Sequence, residues 1–149
     1  MTRLKTHTVG RRRCLLPARF QTSATLKPES AAAHFNLGTA LAQAGRYDDS
    51  IKAFREALSR RPDYAVAHGN LGRVLLVKGD LAEALKHFQE AARLDPNNPQ
   101  NLLGLSEALA QRGAFDVAIE MLDRALRLPL NDALRAEILA KRDAFVKKK

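Results

Sequence analysis

Apolar residues recur along this chain at helical spacing. Between residues 31 and 44, Ala33, Leu37, Ala40 and Leu41 fall at i, i+4, i+7 and i+8, one face of a helix. Between about 47 and 60, Ile51, Phe54, Ala57 and Leu58 form a second such face. Gly45-Arg46 separates the two runs, and glycine there suits the left-handed end of a helix. Pro62 closes the second run, because the residue before a proline is pushed out of the α region. The predicted unit is a pair of amphipathic helices joined by a tight turn.

That unit returns every 34 residues. Leu37-Gly38 recurs as Leu71-Gly72 and Leu105-Ser106, and Gly45 as Gly79 and Gly113. Phe54 recurs as Phe88 and Leu122, Ala57 as Ala91 and Ala125, and Pro62 as Pro96, with Pro129 one position early. The second unit places Leu71, Val74 and Leu75 on its first helix and Leu81, Leu85, Phe88 and Ala91 on the other. The third uses Leu102, Leu105 and Leu109, then Phe115, Ile119, Leu122 and Leu126. A fixed period of this length signals stacked supersecondary units with an extended surface for holding something.

Small residues mark where the helices of a pair approach: Gly38, Gly72 and Ser106, faced by Ser50, Ala84 and Ala118. After the third unit, Asn131-Asp132 offers capping oxygens for a last helix over about 133–146, with Leu134, Ile138 and Phe145 on its apolar side. One wet face on that helix is what the end of a stacked array requires. The predicted organisation is a basic, disordered arm over 1–17 and a partial repeat or N-terminal cap over 18–30. Repeats over 31–64, 65–98 and 99–130 follow, then a capping helix and Lys tail over 131–149.

The net charge of +9 lies outside the repeats. Residues 1–30 hold seven Lys/Arg against Glu29 alone, Lys147-Lys148-Lys149 ends the chain, and residues 31–146 balance to zero. A nucleic-acid-binding fold would carry its positive charge on a folded face, so nucleic acid is not the expected partner of the body. The longest apolar runs fall short of a membrane span, and a membrane partner is not expected either. The arm with Arg11-Arg12-Arg13 leaves an alternative open, in which it binds nucleic acid or anionic membrane and the repeats serve as scaffold. Cytoplasmic localisation is the expectation; a mitochondrial presequence is the alternative for the Arg-rich segment.

Candidate chemistry changes the picture little. The single cysteine, Cys14, excludes an internal disulfide and a CxxC site. His34 and His68 occupy equivalent positions, which the helix interface explains better than a metal or acid–base pair, and His87 reads as a surface residue. Neither a GxxxxGK loop nor a GxSxG elbow is present. No catalytic residue, metal ligand or cofactor is expected, and the chain reads as a non-enzyme.

The Leu-Gly, Gly, Ala, Phe, Ala and Pro positions resemble those of the tetratricopeptide repeat family across residues 31–130. The family's early aromatic slot holds His34, His68 and Leu102 here, and its Tyr slot holds Leu41, Leu75 and Leu109. The resemblance implies an all-α, right-handed superhelical solenoid of three helix-turn-helix repeats with a C-terminal capping helix. It also implies a concave groove lined by the first helix of each pair. The residues expected there are Phe35, Asn36, Thr39 and Gln43, then Val66, Asn70, Arg73 and Val77, then Gln100, Leu103, Glu107 and Gln111. Asn36 and Asn70 are poor helix formers, but an amide can clamp a peptide backbone as donor and acceptor. That ladder resembles the groove of O-linked N-acetylglucosamine transferase-type repeats and stops at Gly104. The Lys/Asn clamp of chaperone-binding members is met only at Asn70. A protein or peptide ligand is the expected partner, with self-association as a further possibility.

Overall fold

The computed structural model describes residues 30–149, and the regular structure among them is seven helices. They divide after Pro62 into two units. The expected arm (1–17) and all of the partial repeat (18–30) except Ser30 lie outside the described residues.

The first unit is one helical pair, α1 (Ala31–Gln43) and α2 (Tyr47–Arg60). The Ser30 side chain opens α1 by accepting from the Ala33 amide at 3.2 Å. At its end Gly45 takes φ 76°, so that the Arg46 amide reaches Leu41 O (2.9 Å) and its own amide reaches Ala42 O (3.0 Å). Those two bonds satisfy carbonyls that the last helical turn leaves open, and the left-handed residue between them favours glycine. Ser50 is fully buried and donates from Oγ to Gly38 O at 2.7 Å. A Cβ on Gly38 would lie 2.8 Å from the Phe54 ring, itself 1% exposed. The small residues thus set the helix–helix distance, as their spacing predicts.

The second unit holds five helices: α3 (Ala65–Lys78), α4 (Leu81–Leu94), α5 (Pro99–Gln111), α6 (Phe115–Leu126) and α7 (Asp132–Lys148). Each packs on the next, and α3 also meets α5. The turns after α3 and α5 repeat the hydrogen bonds seen at Gly45, 34 and 68 residues on, through Gly79 and Gly113. Side-chain oxygens of Asp80, Asn98 and Asn131 accept from backbone amides at the starts of α4, α5 and α7.

Phe88 of α4 is the wedge of this unit. Its ring lies 3.1 Å from where a Cβ on Gly72 of α3 would stand, and inside contact distance of one on Gly104 of α5. Because α3, α4 and α6 surround α5, residues 101–106 are buried without interruption. The last helix is attached differently. Ile138 is its one buried residue, and Phe145 tilts against Phe115 with ring centroids 6.1 Å apart. Lys141 pairs with Glu107 of α5 (2.6 Å), Arg142 with Asp123 of α6 (2.5 Å), and Lys149 with Asp116. The helix runs through Lys147 and Lys148, past the end expected from sequence.

Candidate binding cleft on the second unit

The candidate residues of the first unit are only partly free for a ligand. Asn36 and Gln43 of α1 are exposed. Phe35 is half-buried, its ring tilted on Phe54 with centroids 5.9 Å apart, and Thr39 donates from Oγ1 to Phe35 O at 3.0 Å.

On the second unit, Val66, Asn70, Arg73 and Val77 form one stripe of α3 at offsets of four, seven and eleven residues. Val66 is 46% exposed and Val77 63%. Arg73 Nη2 donates to Asn70 Oδ1 at 2.5 Å. Beside this stripe lies a cleft of about 170 Å³, lined on α3 by Val66, Gly69, Asn70 and Arg73. Phe88 and the start of α5, with Asn98, Gln100 and Asn101, complete it.

At the cleft the repeat departs from its own period. Position 69 is glycine where the flanking repeats hold Phe35 and Leu103. Position 101, in the third repeat, is asparagine where the first two repeats hold Ala33 and Ala67, both buried. Asn101 enters the space that Gly69 leaves: a Cβ on Gly69 would stand 2.8 Å from its Oδ1. Its Nδ2 donates to Ala91 O of α4 at 3.2 Å, which satisfies a polar group only 5% exposed. Sequence reasoning missed Gly69, Asn98 and Asn101, although comparing the repeats position by position carries the signal.

The remaining candidates behave differently from expectation. Leu103, read as outward-facing, is 5% exposed and belongs to the core, because α5 is packed on three sides. Glu107 is half-buried and engaged by Lys141 of α7. It lines a separate depression of about 350 Å³ with Gln111, Phe115 and Phe145. His87, read as a surface residue, turns inward instead. Its Nδ1 lies 2.9 Å from Nδ1 of His68, so one ring donates and the other accepts. Its Nε2 lies 3.6 Å from Glu83. Among the described residues no group of three or more His, Cys, Asp or Glu could hold a metal. Arg93 donates to both carboxylate oxygens of Glu90 and holds its carboxyl below the ordinary range; neither residue lines the cleft. No helix among the described residues is long and apolar enough to cross a membrane.

Helical pairs at a period of 34, closed by the same glycine turn and spaced by small residues, agree with what a family comparison finds. A family model for the tetratricopeptide repeat matches residues 17–65, 37–99 and 70–133. The chain belongs to the tetratricopeptide repeat family. Its all-α repeat-solenoid fold is shared with two crystal structures of MamA. One is 22% identical, with a TM-score of 0.71 over 84% of this chain and 69% of that one. The other is also 22% identical, with a TM-score of 0.69 over 78% of this chain and 66% of that one. At that identity the likeness concerns the fold. No curated protein sequence matches the chain. Tetratricopeptide repeats serve as protein-interaction scaffolds, and the cleft beside α3 is where this one departs from a uniform repeat.

Proposed function

We propose that this chain is a non-catalytic interaction module that holds a segment of a partner protein along the exposed stripe of α3, over the cleft between α3 and the start of α5. The observation that carries the reading is the preformed depression beside Asn70 and Arg73, lined by the two residues, Gly69 and Asn101, that depart from the repeat. Preformed concave sites with a few placed polar groups are where ligands bind. A short segment held this way has micromolar affinity, about −8 kcal/mol.

A photo-reactive residue placed at Gln100 tests the reading, with the exposed Lys86 of α4 as control. Irradiation in cells is expected to give a discrete adduct from position 100 that Asn70→Ala removes. Equal adducts from both positions, or none from 100, would reject the cleft as the binding surface.

A further inference from the structure

The hydrogen-bonding groups of the cleft are unequally committed. Asn98 accepts from the Gln100 amide through Oδ1 (3.0 Å) and donates through Nδ2 to Asp95 (3.3 Å). Asn101 is buried and bonded to Ala91 O. The acceptor of Asn70 is taken by Arg73. Among the described residues this leaves the Asn70 Nδ2 donors and the remaining guanidinium N–H groups of Arg73 without a protein acceptor. One of the two acceptor sites of the Asn70 oxygen is thus taken by the protein itself. The neutral amides of Gln100 and Asn101 offer acceptors as well as donors, and Arg73 is the one ionised side chain lining the cleft among the described residues. The acid of the adjoining turn, Asp95, is bonded to Asn98.

We infer that the occupant is an extended segment carrying an internal Asp or Glu between two apolar side chains. This rests on the binding surface proposed above and specifies its ligand. The carboxylate pairs with the Arg73 fork, which matches two oxygens at once. A main-chain carbonyl of the segment accepts from Asn70 Nδ2, which an extended chain offers and a helix keeps for itself. Val66 and Val77 stand at the two ends of the stripe, about 16 Å apart at 1.5 Å per helical residue. An extended chain covers that span in about five residues, so the acid lies about three residues from one apolar anchor and two from the other. Apolar contacts on both sides of Arg73 place the acid inside the segment rather than at a chain terminus.

Selection of random peptides of about twelve residues on the full-length protein tests this. One library displays them with a free C-terminus and one without, on wild type, Arg73→Leu and Arg73→Glu; Arg73 is exposed, and circular dichroism checks the variants. Enrichment is expected for an internal acid flanked by apolar residues in both libraries. It is expected to disappear on Arg73→Leu and to turn to Lys or Arg on Arg73→Glu. A selected peptide is expected to lose at least about tenfold in affinity on Arg73→Leu, the size of one charged hydrogen bond. Acid enrichment confined to the free C-terminus would overturn the inference in favour of a terminal carboxylate. Binders without an acid that are lost on Asn70→Ala would overturn it while leaving the binding surface standing. No enrichment from any library would overturn both.

Discussion

Single atoms decide the close packing in both units. At Gly104 a methyl group has no room, because the Phe88 ring already occupies its place. Gly104→Ala is expected to destabilise the protein by about 1–3 kcal/mol, and Gly38→Ala, against Phe54, by a similar amount. Thermal unfolding of both variants beside Gly45→Ala separates packing from turn strain, since nothing lies within 4 Å of a Cβ at Gly45. An unchanged Tm for Gly104→Ala would mean that Phe88 yields freely. Any side chain at position 104, an asparagine included, would meet that ring at its Cβ. At this scale the sequence was legible where a residue repeats. The closeness of Gly38 and Ser50 followed from spacing, and the bond between them confirms it. Asn101 shows only as a break in the Ala33 and Ala67 series, and Leu103 is buried where α5 packs against three other helices, which periodicity alone does not reveal.

The seven helices separate into two kinds. Six form hairpins locked by buried stripes and glycine turns, whereas α7 carries a single buried side chain and leans on ion pairs. Exposed or half-exposed ion pairs contribute little and are screened by salt. Backbone amides of α7 are therefore expected to exchange with solvent faster than those of α5, and faster still in about 1 M salt, where the Debye length falls to about 3 Å. Ile138→Ala should cost about 2–5 kcal/mol of local stability, abolishing protection in α7 while leaving α3 to α6 helical. Exchange mapped by mass spectrometry decides this, and equal protection across α5 and α7 would refute it. The existence of each helix was legible from periodicity and caps. The mode of attachment of α7 was not, since Glu107, Asp116 and Asp123 read as ordinary surface acids until their partners are seen.

For the whole molecule, the net charge and the proposed binding cleft fall in different segments of the sequence. Residues 31–146 are neutral, and the cleft presents one cation, so ligand binding there should depend weakly on salt. Raising salt from about 50 to 200 mM is expected to weaken a selected peptide by about fourfold or less, against about fortyfold for an arm making three phosphate contacts. Deleting residues 1–30 should leave that affinity unchanged. Fluorescence anisotropy on the full and shortened chains measures both, and loss of binding with the arm would move the function to the N-terminus. The helical architecture could be anticipated at this scale because repetition multiplies a weak local signal. The cleft is marked only by breaks in that repetition, at Gly69 and Asn101, which show when the repeats are compared position by position. The seam at α7 has a consequence for how such a protein changes over generations. A helix fastened by one buried side chain, one aromatic contact and a few ion pairs can be lifted with little loss of core. Inserting one further 34-residue block just before Asn131 then adds a hairpin and lets α7 settle on it as it now settles on α6. Growth at that seam needs no redesign of the interior, and relatives with an added hairpin are expected to keep the same helix after it.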